Sequence, residues 1–222
     1  MDTIFRGDLA APGGRALAWA DSLLVDHGVF RLVWSNRATV IAGRLYRCNH
    51  PTPGRLAALA RRHRLRTVVN LRGACGNGSD ALSREAAARL GLGFIDAPLG
   101  SRVPERERIL ALCDVFQRMP EPALVHCKSG ADRAGLAAGV FILLNGGTAA
   151  AALAQLSLRF GHFRRSRAGI LDAFFRRYGE EAEGRKPFLD WLSEDYDEAA
   201  LRRDFAAGGL ASFINDRLLA RE

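Results

Sequence analysis

The amino-acid sequence predicts an α/β fold: a central, mostly parallel sheet of about four to five strands flanked by helices, followed by a helical C-terminal extension. Short apolar runs such as Thr67-Val-Val-Asn-Leu71 and Ala123-Leu-Val-His126 alternate with segments of helical length, the pattern of strands crossed over by helices. One of these runs passes directly through a glycine-bearing turn into an apolar helix from about Ala134 to Leu144. Beyond Thr148 the chain reads as helix after helix, broken at Gly161, Gly179, Gly184 to Pro187 and Gly208-Gly209.

Taken in order, residues 1–28 are poorly patterned, with a Pro-Gly-Gly stretch at Pro12 to Gly14 and a helical segment from Arg15 to Asp26, and read as an N-terminal lid or appendage. Val29 to Trp34, Thr39 to Ile41 and Leu45 to Arg47 are rich in β-branched and aromatic residues and read as strands. Thr52-Pro53 marks a helix start, a hydroxyl cap followed by proline where no amide partner is needed, and the helix runs to about His63. After the Thr67 strand, a Gly- and Asn-rich loop leads to a helix from about Ser79 to Leu90, stopped by Gly91. Phe94 and Ile95 open another strand, and a helix runs from Arg102 to Asp114 with Pro104 near its start. The expected organisation is thus an appendage over 1–28, a principal domain over 29–160 and a helical extension over 161–222 packed on that domain.

Composition sets outer limits. Of 222 residues, 48% are hydrophobic and 25% charged, which suits a folded globular chain. The excess of 32 Lys plus Arg over 24 Asp plus Glu, a net charge of +8, favours anionic partners. Lysine occurs only at Lys128 and Lys186, so part of this charge reflects an arginine-rich composition. The longest strongly apolar run is about half the ~20 residues a bilayer-spanning helix requires. Acidic residues at Asp2, Asp8 and Asp21 fit no secretory leader. The four cysteines, at 48, 75, 113 and 127, show no close pairing pattern, and a reactive thiol among them needs a reducing compartment, so cytoplasm is the expected location.

The segment that carries chemistry is Val125-His-Cys-Lys-Ser-Gly-Ala-Asp-Arg-Ala-Gly135, a strand that ends in cysteine and turns into a helix. Ligands of open α/β sheets bind at that carboxyl edge. The amides of residues 128–133, with the helix N-terminus, form a cradle for an anion, and Gly130 lets the backbone close around it. A thiol in that cradle feels the same field, which favours its thiolate form. Arg133 presents a planar fork of donors that matches phosphate oxygens.

Cysteine, five residues and arginine, preceded by His126 and followed by a helix, resembles the signature loop of the cysteine-dependent protein tyrosine/dual-specificity phosphatase superfamily. Val40-Ile-Ala-Gly-Arg-Leu-Tyr-Arg47, Pro51, Pro53 and Thr67-Val-Val-Asn-Leu-Arg72 look like the opening of its compact bacterial and fungal members, so the resemblance covers residues 29 to 160. It implies a dual-specificity phosphatase-like catalytic domain and hydrolysis of phosphate monoesters through a phospho-cysteine formed on Cys127. Arg133 and the loop residues Lys128, Ser129, Gly130, Ala131 and Asp132 bind the phosphate, His126 orients the loop, and no metal or other cofactor takes part. Arg72, at the same sheet edge, is expected to contour the pocket.

Two departures stand out. The family places a general-acid aspartate some thirty residues before the nucleophile, and Asp96 lies 31 residues upstream of Cys127, but matching Pro104 to the proline of relatives puts Gly100 or Ser101 at the acid position. Asp132, directly before the arginine, resembles the loop acid of myotubularin-like phosphatases and is the first candidate, followed by Asp96 and then Glu105. Ala134 stands where most relatives carry a hydroxyl that helps the thiolate depart, which implies slow turnover. Lys128 resembles the loop lysine of the phosphatase-and-tensin enzymes and points to a multiply phosphorylated or inositol-lipid substrate, beside a phosphorylated protein as the general expectation. A phosphate-binding module without turnover is the competing reading. Arg159-Phe-Gly-His-Phe-Arg-Arg-Ser-Arg167 is the densest basic stretch and fits an anionic headgroup, so peripheral contact with an anionic membrane is a further expectation. His162 within it reads as structural, Cys75 as a spare thiol able to approach Cys127, and Tyr196, Phe205 and Phe213 as packing residues. No nucleic-acid motif accompanies the charge, and no feature specifies an oligomeric state.

Overall fold

The structure, a computed structural model, describes residues 3–100 and 102–207. A five-stranded sheet of order β1-β2-β5-β3-β4 lies at its centre. It comprises β1 (Ala38–Ile41), β2 (Leu45–Cys48), β3 (Thr67–Asn70), β4 (Gly93–Asp96) and β5 (Ala123–His126). Only the β1-β2 hairpin is antiparallel; β2, β5, β3 and β4 run parallel, as the alternating sequence pattern predicts. All four residues of β5 and of β3 are buried, the expected state of parallel strands covered on both faces.

The crossover helices begin and end where their caps dictate. In α3 (Pro53–His63) the Thr52 hydroxyl accepts the Arg55 amide, with Pro53 opening the first turn. In α4 (Gly78–Arg89) the Asn77 side chain accepts the Asp80 amide at 3.0 Å. Helix α5 spans Arg106–Arg118, four residues later than the sequence predicts. The residue before a proline avoids helical backbone, and the Pro104 carbonyl is taken by the Tyr196 hydroxyl at 2.7 Å. Helix α6 (Asp132–Leu144) follows the turn after β5.

Two expectations fail. Val29 to Trp34 is not a strand: Gly28–Val33 forms a short helix, here α2, following α1 (Gly14–Ala20) and a π-helical turn over Asp21–Val25. Its apolar residues face outward and Arg31 alone among its long side chains faces in, so β-branched content here does not mark a buried strand. Gly179 breaks nothing. It lies within α8 (Ile170–Glu181), where α7 (Ala149–Leu153) packs so closely that a Cβ at 179 would stand 3.1 Å from that of Ala149.

Helices α8, α9 (Phe188–Glu194) and a final helical segment over 198–207 complete the described chain. Phe174, Trp191 and Tyr196 are fully buried and pack ring on ring, edge to face for Phe174–Tyr196 with centroids 5.0 Å apart and tilted for Trp191–Tyr196 at 5.2 Å. They share one core with Val125 of β5 and Leu136 and Phe141 of α6. Fully burying an aromatic or aliphatic side chain of this size stabilises by about 1.5–3 kcal/mol, so these helices brace α6, the helix that carries the signature arginine. Phe213 and Gly208-Gly209 lie outside the described residues. Among the described residues no helix is long and apolar enough to cross a membrane.

Candidate active site

Register across the sheet aligns Cys48, His126, Asn70 and Asp96 in one row. The chain therefore leaves β2, β5, β3 and β4 along a single carboxyl edge, and Cys127 is the first residue beyond β5.

The turn from Cys127 to Ala131 is held by its carbonyls. Lys128 O accepts the His50 amide at 3.2 Å, and Ser129 O accepts Asn36 Nδ2 at 3.0 Å. Arg47 Nη2 donates to Gly130 O at 2.6 Å and to Ala131 O at 3.1 Å. The C=O and N–H of a trans peptide point in opposite directions, so anchoring these carbonyls outward turns the amides of residues 129–132 inward. The Gly130 amide reaches Cys127 Sγ at 3.2 Å. At Gly130 the backbone has φ +76°, and a Cβ there would lie 2.7 Å from the Asn49 amide nitrogen; glycine alone satisfies both constraints. Cys127 itself is buried at the floor of this cradle. Arg133, at the second position of α6, is half-buried, and its Nη1 has only a long 3.5 Å contact to Leu71 O, which leaves the fork of donors available to an anion.

Arg47 is the post on which the loop hangs. It is buried, lies 4.0 Å over the Phe160 ring, and binds the backbone and side chain of Gln155 with its other amino group. Burial pushes its guanidinium down to about 10, still charged at neutral pH.

A second cluster buttresses the opposite wall. Asp26, 2% exposed, binds Arg72 with both oxygens (2.8 and 2.9 Å), Arg31 at 2.8 Å and Lys128 Nζ at 3.2 Å. Burial alone would raise its pKa, but Arg72 and Arg31 hold it well below the usual carboxylate range. Arg72 Nη1 also donates to His50 Nδ1 at 3.3 Å, and His50 Nε2–H donates to Ser79 O at 3.0 Å. Burial, with the neighbouring His126, keeps His50 neutral. Arg72 thus supports the wall through Asp26 instead of presenting its donors to the cradle, and Lys128 is tethered by the same carboxylate. Residues 1–28 supply Asp26, so the segment expected to be an appendage contributes the anchor of this wall. Asp21, also from that segment, accepts the Gly78 amide at the start of α4.

The His126 ring packs edge-on to His50 at 4.6 Å with no side-chain partner on either nitrogen among the described residues, and burial lowers its pKa to about 3, against the opposing pull of the adjacent Cys127 backbone.

The candidate acids are placed differently from one another. Asp132 opens α6 beside Arg133, and its Oδ1 accepts His162 Nδ1–H at 2.8 Å. His162 Nε2–H donates to the fully buried Asp172 at 2.6 Å, and Arg164 contacts the other oxygen of Asp172 at 3.1 Å. Burial would lower the His162 pKa, but hydrogen bonds to the two carboxylates raise it to about 9. The imidazolium therefore bridges two aspartates and couples the signature loop to α8. Asp96 lies across β3 from β5, about 10 Å from His126 over two strand spacings. Both its oxygens are engaged by Arg84 at 2.8 Å and one by Asn70 at 3.0 Å. Glu105 is paired with Arg108 at 2.6 Å, one turn into α5. Ser101 lies outside the described residues. Cys75 is exposed and its thiol contacts Gly73 O at 3.3 Å; all four cysteines are free.

Sequence reasoning did not single out Asn36, Arg47, Asp26 or Asp172, and read His162 as structural. Asp172 alone left a signal, an acid among the apolar residues Ile170, Leu171, Phe174 and Phe175 on one helix.

Solved structures share this architecture. TpbA of P. aeruginosa is 21% identical with a TM-score of 0.53, over 78% of this chain and 96% of that one. A candidate phosphatase (DUF442) from Shewanella putrefaciens CN-32 is 16% identical with a TM-score of 0.51, over 76% of this chain and 96% of that one. At these identities the likeness establishes the fold. No protein-family model matches the chain, and no curated protein matches its sequence.

Proposed function

We propose that this chain hydrolyses phosphate monoesters through a phospho-cysteine intermediate. The observation that carries the reading is the outward anchoring of carbonyls 128–131, which turns the loop amides inward around Cys127 Sγ. Such a cradle suits a tetrahedral dianion, and preorganised donors of this kind supply much of the stabilisation in phosphoryl transfer.

In the first step Cys127 sulfur attacks phosphorus; the S–P bond forms, the P–O bond to the substrate breaks, and the leaving oxygen takes a proton. Arg133 holds two phosphate oxygens while charge spreads over the transferring group. In the second step water attacks phosphorus, the S–P bond breaks, and the water's proton passes to a carboxylate. Asp132 is the acid and base of this scheme, because it stands on the loop beside Arg133 while Asp96 is committed to Arg84. The substrate is a phosphotyrosine or phosphoserine protein or a phosphoinositide; Lys128 at the rim, tethered to Asp26 yet partly exposed, supports the inositide.

Ala134, fully buried where a hydroxyl would assist sulfur departure, favours a second reading, a phosphate-binding module with impaired turnover. Hydrolysis of an activated aryl phosphate separates the two. The phosphatase reading expects turnover by the native chain and none by Cys127→Ser; absence of turnover in both, with phosphate binding retained, favours the module.

A further inference from the structure

Helix α2 presents an apolar face to solvent. Phe30 is 77% exposed and Val33 93%, and Trp34 follows them on the same side. Three- and four-residue spacing places these side chains together, and the buried Arg31 on the opposite side, bound to Asp26, fixes which way the helix faces. The face continues onto the segment after α7. The Trp34 ring lies so close to Gly161 that a Cβ there would stand 2.5 Å from Cη2, and Asn36 Nδ2 donates to Phe160 O at 2.8 Å. Leu158 and Phe163, both largely exposed, extend the apolar surface on that side, beside a groove lined by Leu153 and Leu156. Single exposed apolar residues need no explanation, but a contiguous set marks an interaction surface.

The two stretches that build this face carry charge of one sign. The sequence contains no acidic residue between Asp26 and Asp80, and none between Asp132 and Asp172, the two stretches from which the face is built. Arg37, Arg159, Arg165 and Arg167 are exposed, and none has a carboxylate partner among the described residues. Asp172, the acid nearest in sequence, is fully buried against His162. A protein partner's rim would offer charges of both signs, whereas a surface of apolar tips edged by exposed arginines complements an anionic bilayer. The face also adjoins the signature loop, because Asn36 donates to Ser129 O as well as to Phe160 O.

We infer that α2 and the Leu158–Arg167 segment dock the protein on an anionic lipid bilayer, with Phe30, Val33, Leu158 and Phe163 entering the headgroup region and the arginines contacting lipid phosphates. This places the mouth of the cradle at the membrane surface. The docking stands apart from the catalytic reading, since it is measured as binding without turnover.

The test is co-sedimentation of the full chain with vesicles of phosphatidylcholine alone and of phosphatidylcholine mixed with phosphatidylserine, at low and raised salt. The proposal expects binding to the mixed vesicles only, weakened by salt. Arg165→Glu and Arg167→Glu each weaken it by about fivefold or more, and Val33→Asp by about tenfold or more. Thermal unfolding of these variants stays at the native midpoint, and Phe30→Ala, which adds no charge, weakens binding in the same direction. Equal binding to neutral and mixed vesicles, no binding to either, or a concentration-dependent dimer that Val33→Asp abolishes would each overturn it, the last by showing that the face meets a second copy of the chain.

Discussion

His162 stands between two carboxylates, its Nδ1 2.8 Å from Asp132 on the signature loop and its Nε2 2.6 Å from the buried Asp172 of α8. The histidine thus ties Asp132 to a residue thirty positions away in sequence and, through Asp172, to the C-terminal helix α8.

Replacing Asp132 with Asn should lower kcat on an alkyl phosphate by about 10²–10⁴, the usual worth of general acid–base catalysis. The effect on an activated aryl phosphate should be smaller, because its leaving group needs little help. His162→Gln keeps a donor toward Asp132 but removes the imidazolium. Native turnover should therefore fall as pH rises through about 9, where His162 loses its proton, and that alkaline limb should be absent from the variant. An unchanged pH profile in His162→Gln would show that the histidine only packs.

Among the described residues Asp26 is the single carboxylate serving Arg31, Arg72 and Lys128 on one wall of the cradle. Removing one partner of a buried ion pair leaves uncompensated charge and costs about 3–5 kcal/mol. Asp26→Ala should lower unfolding free energy in denaturant by that amount and loosen the loop through freed Lys128. A loss below about 1 kcal/mol, typical of a surface pair, would contradict the buttress.

The histidines set opposite pH limits on stability. His162 has its folded pKa raised to about 9 from 6.5, so its contribution is full below about 6.5 and lost as pH rises through about 9. His126, lowered by burial to about 3, and His50, lowered well below its ordinary value, act in reverse. Their unfolded forms take up protons below about 6.5, and stability falls with pH from there toward about 3. Thermal midpoints should decline on both sides of neutrality, and His162→Gln should flatten the alkaline side alone. An alkaline decline of native size in that variant would refute the assignment.

What the sequence made legible was local. The strand–turn–helix around Cys127, the Thr52 cap and the mostly parallel sheet all follow from patterns within a few residues or from crossover rules. The site's supports were not legible, because each is a tertiary pairing of an ordinary residue: Asp26 reaches Arg72 across 46 positions and Asn36 reaches Ser129 across 93. Asp96 shows the converse. Its distance along the chain suits an acid, yet register sets it two strands from β5 and against Arg84. Val29 to Trp34 was misread for a related reason, since apolar residues that face solvent carry the same composition as those that build a strand.

The most direct measurement is acid quenching of the protein during turnover of an aryl phosphate, followed by mass analysis of the peptide that contains Cys127. The account predicts a phosphate on Cys127 that accumulates further in Asp132→Asn, where water attack is slowed, and is absent in Cys127→Ser. Turnover by the native chain with no phosphate on Cys127 under any quench, in the native chain or in Asp132→Asn, would contradict it.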